Sequence, residues 1–315
     1  MTMMASLKAK RAGRKHNYRR FIPMYIMMLP GLIYLLINNY VPMAGIIIAF
    51  KHVNWNMGIL GSPFAGLSNF EYLFKTKEAW IITRNTLGYN LVFIILGTVL
   101  AIAIAIILNE IRSKFWKKSY QTIILLPYLI SMVVVSYLVF AMFSAESGFV
   151  NHSILTALGL EKVSWYTEPK YWPYILTIVH LWKTVGYSCI IYYATVVGID
   201  RGYYEAAVID GANRWQQMVH ITLPALKPTM ITLVLLQIGT IFYSDFGLFY
   251  QVPMDSGPLY DVTNTIDTYV YRGLIKLNDL GMSSAAGVYQ SLVGFTLVYI
   301  ANRLVTRYSK ENALF

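Results

Sequence analysis

LVFIILGTVLAIAIAIIL, residues 91–108, is a run of eighteen positions without a charged or strongly polar side chain. Crossing roughly 30 Å of hydrocarbon takes about 20 helical residues of this kind. The rest of the chain has the same character: 57% of its 315 residues are hydrophobic and only 13% are charged. A soluble domain carries about 25% charged residues, so the composition points to an all-α polytopic membrane protein. Cys189, the single cysteine, allows neither an intrachain disulfide nor a cysteine-based metal site.

Working outward, apolar runs of spanning length occur six times, near 21–50, 86–108, 119–143, 172–197, 225–247 and 283–303. Pro30 and Pro42 predict a kinked or irregular first span. That run is too long for a secretory signal and lacks a small-residue cleavage site, so an uncleaved anchor is expected. The expected organisation is a basic segment 1–20, a six-span region 21–303 and a tail 304–315. Trp165, Tyr166, Tyr171 and Trp172 read as an interfacial aromatic belt.

The formal net charge of +11 raises the question of nucleic acid, but its distribution follows topology. With both termini in the cytoplasm, the inner segments hold 16 basic and five acidic residues, and the outer segments eight basic and nine acidic. Lys and Arg accumulate on the cytoplasmic side of membrane proteins. The N-terminal KAKRAGRKHNYRR therefore reads as a topology signal and anionic-lipid anchor, with no nucleic-acid partner expected.

Between the fourth and fifth runs lies a polar interruption, EAAVIDGANRWQQMVHITLP at 205–224. Tyr203–Ile209 predicts a short helix with Glu205 in its first turn, Gly211 supplies a left-handed break, and Asn213 caps a second helix running to His220. A plain amphipathic helix lying in the interface fits these features as well as a docking element does.

The spacing separates the two. Glu205-Ala206-Ala207, three residues, Gly211, nine residues, then Ile221-Thr222-Leu223-Pro224 resembles the EAA loop of binding-protein-dependent ABC importer permeases, matching every fixed position. Arg84-Asn85-Thr86-Leu87, Leu108-Asn109-Glu110, Leu126-Pro127 and Trp182-Lys183 ahead of Tyr192-Tyr193-Ala194 are similar to the carbohydrate-uptake branch. Tyr40 to Gly45 and Gly66-Leu67-Ser68-Asn69-Phe70 resemble permeases for complex or acidic oligosaccharides.

The resemblance implies that the coupling loop, 200–224, docks into a groove on an ATPase subunit through Glu205, Ala206, Ala207, Asp210, Gly211, Ile221, Leu223 and Pro224. It also implies two ATPase subunits, a second homologous permease and an extracytoplasmic sugar-binding protein. The chain has no GxxxxGK[ST] phosphate loop, so no cofactor is expected on it; ATP and Mg would sit on the partner ATPases.

Polar groups inside spans are expensive and mark candidate pathway positions. Lys183 stands deep in the fourth run, with His180 and Tyr187 one turn to either side. It reads either as a contact for a uronate carboxylate or sugar hydroxyl, or as a lysine paired with a neighbouring helix or a helix-end carbonyl, and the second reading is preferred. Asn90, Tyr128, Tyr137, Gln237, Tyr243, Asp245, Tyr289 and Gln290 complete the candidate sugar path, each with packing as its ordinary alternative. The outer loop 250–280 reads as a receiving surface for the binding protein or as an ordinary solvated loop. Five scattered histidines without metal spacing argue against an enzyme. The scarcity of acids within spans argues against an ion-coupled secondary transporter.

Overall fold

The computed structural model describes residues 21–308. The basic segment 1–20 and residues 309–315 of the tail lie outside the described residues. Among those described there is no β-strand, only an isolated bridge between Lys51 and Phe64.

The chain divides after Ile48. In the first unit, α1 (Ile22–Leu35) passes into a π-helical turn, Leu36–Tyr40, and then into short α and 3-10 turns. The two prolines explain this irregularity, because each removes one N–H from the ladder. Within this stretch Asn38 donates its side-chain amide to the Tyr34 carbonyl one turn earlier.

The second unit contains α2 (Ser68–Lys75), α3 (Glu78–Glu110), α4 (Lys114–Leu129), α5 (Met132–Phe143), α6 (Trp172–Val197), α7 (Arg201–Ile209), α8 (Arg214–Gly239), α9 (Ile266–Ile275) and α10 (Leu280–Tyr308). Five described helices are long and apolar enough to cross a membrane, and a sixth span exists if α4 and α5 are counted as one despite a 96° bend. The third expected span is therefore not straight. Pro127 weakens the end of α4, Ile130 and Ser131 are extended, and Ser131 starts α5 by accepting a hydrogen bond from Val134 N.

Two further expectations need correction. The fifth span stops at Gly239 instead of 247, so Tyr243 and Asp245 lie beyond its helix. The second short helix of the polar segment is not separate: it runs through a π-helical turn, Met218–Thr222, directly into the fifth span. A widened turn fits ahead of Pro224, which has no N–H for the regular ladder.

Small side chains set the packing. Ala101 and Ala105 of α3 are fully buried against Val185, Cys189 and Tyr192 of α6, the close approach that lipid-embedded helices obtain from small residues. At Gly186 the approach is closer still, because a Cβ there would overlap the carbonyl oxygen of Ile124 in α4. A second cluster joins Tyr89 and Phe93 to Trp172, Leu176 and Phe249. Trp172 is fully buried, and its indole donates to the Trp165 carbonyl at 2.6 Å. The expected aromatic belt is thus partly an interior seam.

Candidate functional site

The polar segment opens with Asp200, whose side chain accepts from Gly202 N at 2.9 Å and caps α7. Glu205 therefore stands in the second turn, and Asp200 takes the capping position. At the other end Gly211 has φ +81°, Gly211 N bonds to Val208 O, and Ala212 N bonds to Ala207 O. Those two bonds with a left-handed residue make a Schellman cap. Asn213 and Gln216 then form a reciprocal capping box, with bonds of 2.8 and 2.9 Å. The Schellman cap ends α7 and the capping box starts α8 with only Gly211 and Ala212 between the capping residues, so the sequence itself builds the corner.

The faces of this corner are bare. No residue of α7 is buried; Ile209 is 86% exposed, and Val208 and Trp215 are also exposed. Ala207, Asp210, Gly211 and Ile221 line a groove of about 340 Å³. Glu205 lines a separate cleft of about 420 Å³ with Glu110, Arg201 and Arg214. Leu223 and Pro224 are exposed at the base of α8. The Tyr204 hydroxyl meets that of buried Thr222 at 2.9 Å and ties α7 to this base.

The candidate path residues fall into two sets. Asn90 and Gln290 hold the chain where α8 has ended: Asn90 donates to the carbonyls of Ile241 and Tyr243, and Gln290 to that of Phe242. Tyr289 hydrogen-bonds Thr83 at 2.8 Å, and Asp245 caps the following turn through Leu248 N. Lys183 donates to the carbonyls of Pro127, Tyr128 and Ile130 at the α4–α5 break. His180 stacks on Phe93 with ring centroids 3.7 Å apart.

The second set is freer. Tyr128 and Tyr187 stack on each other at 4.8 Å with both rings exposed, Tyr137 and Tyr243 are exposed, and Gln237 is half-buried near the end of α8.

The segment from 250 to 280 is more ordered than a solvated loop. Asp255 and Arg272 pair at 3.0 Å with side chains only 11% exposed, and Lys276 bonds the other carboxylate oxygen. The Arg272 guanidinium also lies 4.0 Å from the centre of the Tyr260 ring. Burial, against the opposing charge of Arg272, raises the pKa of the Tyr260 phenol, which donates to Asp255 as a neutral hydroxyl.

One face of α3 grips this segment. Arg84 and Asn85 bond the Asp261 carbonyl, Asn85 also that of Asn264, Thr86 accepts from Ile266 N, and Tyr89 donates to the Val262 carbonyl. Sequence reasoning quoted Arg84-Asn85-Thr86 only as a motif and did not assign these roles.

Long apolar helices, a rigid exposed corner and in-span polar groups engaged with backbone define a membrane-embedded transport component. Residues 97–310 match the family described as binding-protein-dependent transport system inner membrane component, and the chain belongs to that family, multi-pass in the cytoplasmic membrane. It is 36% identical to the polygalacturonan/rhamnogalacturonan transport system permease protein YteP of Bacillus subtilis, across 91% of this chain and 89% of that protein. It is 32% identical to Protein LplB of the same organism, across 91% and 90%. A crystal structure of a bacterial ABC transporter involved in the import of the acidic polysaccharide alginate superposes with a TM-score of 0.84 at 32% identity, covering 92% of this chain and 97% of that one. A second structure of a bacterial alginate ABC transporter, in complex with alginate pentasaccharide-bound periplasmic protein, gives 0.83 at 32% identity over 93% and 96%.

Proposed function

We propose that this chain is one permease of an ATP-driven ABC importer for an oligosaccharide, with an acidic plant-polysaccharide fragment as the favoured cargo. The observation that carries the transport reading is the corner at Gly211: a capped, exposed turn between α7 and α8 carrying Glu205, Ala206, Ala207 and Asp210. The names of the relatives support the cargo.

In this reading six spans cross the membrane within 21–303, both termini and the coupling loop 200–224 are cytoplasmic, 1–20 is a basic leading segment and 304–315 a tail. ATP hydrolysis occurs on two separate subunits, which α7 contacts in the helix-in-groove manner. Exposed Ile209 and Val208 then become buried on docking, Ala206 and Ala207 permit close approach, and Ile221, Leu223 and Pro224 join the corner to α8. A second homologous permease completes the path, and an extracytoplasmic binding protein delivers the sugar, as in the alginate assembly. Tyr128, Tyr137, Tyr187, Gln237 and Tyr243 are the side chains left available to meet sugar faces and hydroxyls. His180, Lys183, Asn90, Asp245, Tyr289 and Gln290 frame the path by holding backbone or neighbouring rings.

The test is reconstitution of the complex with its ATPase and partner permease in proteoliposomes. Gly211→Trp and Glu205→Lys are expected to abolish ATP-dependent uptake while the chain still inserts. Unchanged uptake in both variants sinks the docking reading. A binding protein that takes only neutral sugars sinks the acidic cargo and leaves the importer.

A further inference from the structure

Residues 21–70 contain a single Lys, Arg, Asp or Glu side chain, Lys51. Up to Phe50 this is the first apolar run, and its composition needs no further account. The stretch that follows is different: it leaves that run and returns to α2 as a connecting strap. About 25% of the side chains of an ordinary soluble segment are charged, and from 52 to 70 none is.

The strap is built inside out. Its one ammonium is turned onto the strap itself, where Lys51 Nζ donates to the carbonyls of Ile59 and Leu60. Ser62, which is buried, accepts from Asn54 N at 2.9 Å and donates to Gly58 O at 2.6 Å. His52 N bonds Pro63 O, Ala65 N bonds Phe50 O, and Ser62 N bonds Gly58 O. The large apolar side chains face the other way: Trp55, Met57, Leu60, Phe64 and Leu67 are all exposed, Leu60 to 83%.

Polar groups paired internally beneath an apolar exterior is the arrangement that lipid requires, because hydrocarbon offers no partner to a peptide group. An exposed apolar patch marks either a membrane or a protein partner. A protein interface carries roughly one hydrogen bond per 100–200 Å², and this surface has little to offer one. From Met57 to Leu67 the only polar side chain is Ser62, and it is already engaged with the strap's own backbone. Trp55 stands between Asn54 and Asn56, an amphipathic ring of the kind that collects at the headgroup level.

The strap is also tied to the end of a span. The Asn69 amide donates to Ala49 O and Lys51 O at 2.9 and 3.0 Å. Gly281, in the first turn of α10, makes room for it, since a Cβ there would lie 2.8 Å from the Asn69 side chain. Gly66-Leu67-Ser68-Asn69-Phe70, quoted from the sequence only as a motif, thereby fixes the strap at the boundary where α10 begins.

We propose that residues 53–67 form a foot seated in phospholipid, with Leu60, Phe64 and Leu67 in the acyl boundary of the outer leaflet and the Trp55 indole among the headgroups. Lys51 is a positioning residue, holding two carbonyls that lipid would leave unpaired. Through Asn69 the foot sets the depth at which α10 enters the membrane. The choice of leaflet rests on the topology proposed above.

The experiment uses the complete complex in vesicles of phosphatidylethanolamine and phosphatidylglycerol, with a nitroxide on Leu60→Cys or, separately, on Phe64→Cys. Native Cys189 is buried and stays unlabelled. Collisions with oxygen, which concentrates in lipid, are compared with collisions with a water-soluble nickel chelate, and Lys162→Cys at an exposed charged position is the reference. Both labels are expected about 5–10 Å into the boundary, the depth of interfacial apolar faces, with an oxygen-to-chelate ratio several-fold above the reference. Lys51→Met is expected to bring the ratio down to the reference value, because the carbonyls of Ile59 and Leu60 must then turn to water.

A ratio equal to the reference at both sites puts the strap in water and overturns the foot. Shielding from oxygen and chelate alike puts a protein over it and overturns it equally. A high ratio retained in Lys51→Met overturns the role of the lysine. Failure of the topology is seen separately, as Lys162→Cys reacting with a membrane-impermeant maleimide only after cells are opened.

Discussion

The side-chain amide of Asn90 stands 2.8 Å from the carbonyl oxygen of Ile241. That oxygen lies just past Gly239, where α8 stops, so it has no partner within its own helix. In an apolar medium an unpaired carbonyl is costly, and a side-chain donor from a neighbouring span removes the cost. Gln290 serves Phe242 in the same way, and Lys183 serves the break between α4 and α5. Polar groups inside these spans thus mark the places where helices end early.

Substituting Asn90 or Gln290 with leucine strands one or two carbonyls and is expected to destabilise the protein by about 1–3 kcal/mol each. Thermal unfolding of the purified complex in detergent measures this. The half-saturating sugar concentration for uptake stays near the parent value. A normal melting temperature with a raised half-saturating concentration would instead assign both amides to the cargo.

Lys183→Met removes three donors at once from the carbonyls of Pro127, Tyr128 and Ile130. Hydrogen bonds to a charged group contribute roughly 1.5–3 kcal/mol, so a loss of about that size is expected, with the α4–α5 bend becoming protease-sensitive. Acidic and neutral oligosaccharides are expected to lose transport equally. Selective loss of acidic cargo, with stability intact, would show that the ammonium meets a uronate.

The residues that were legible in the sequence are those whose chemistry is local. Gly211 and Asn213 announce a helix end and a helix start because a left-handed break and an N-cap need those residue types at those positions. The long run at 91–108 announces α3 for the same reason. The bend after Pro127, the early end of α8 and the ordering of 250–280 were not legible, because each depends on partners far away in sequence. Lys183 lies 53 residues from Ile130, and Asn85 lies 179 from Asn264. Lys183 itself illustrates the limit: its type and depth suggested a neighbouring helix or a helix-end carbonyl as partner, but not which of the two, nor which helix.

Gly186 is the position where α4 and α6 come closest, since a Cβ there would overlap the Ile124 carbonyl. Gly186→Val forces the helices apart, and overpacking a tight interface costs typically about 1–3 kcal/mol or more. The expected outcome is a poorly folded chain, with Gly186→Ala intermediate. Yield and melting temperature of the two variants check the order. Parent-like behaviour of the valine variant would mean that the contact is looser than the geometry implies.

Asp255 shows how the 250–280 segment resists being an ordinary loop. It sits at φ +48°, next to Met254 at φ +55°, a backbone region that costs L-residues about 1–2 kcal/mol each. Arg272, Lys276 and the Tyr260 hydroxyl hold it there. The hydrogen bond to Asp255 raises the pKa of Lys276, against the smaller opposing effect of its burial. A folded-state value above the unfolded one gives stability that is complete below the ordinary lysine pKa and fades as pH climbs through the raised value. Neutral-pH variation should therefore leave this contact untouched. Asp255→Asn removes the charge that both cations share, and breaking a buried pair costs about 3–5 kcal/mol. Limited proteolysis should then cut within 250–280 while the grip of α3 on 261–266 persists. Asp255→Gly relieves the backbone strain but also leaves Arg272 and Lys276 without their shared carboxylate, so it should be cut as readily as the asparagine variant. If the glycine variant were instead as resistant as the parent, backbone conformation and not the ion pair would be what orders this segment.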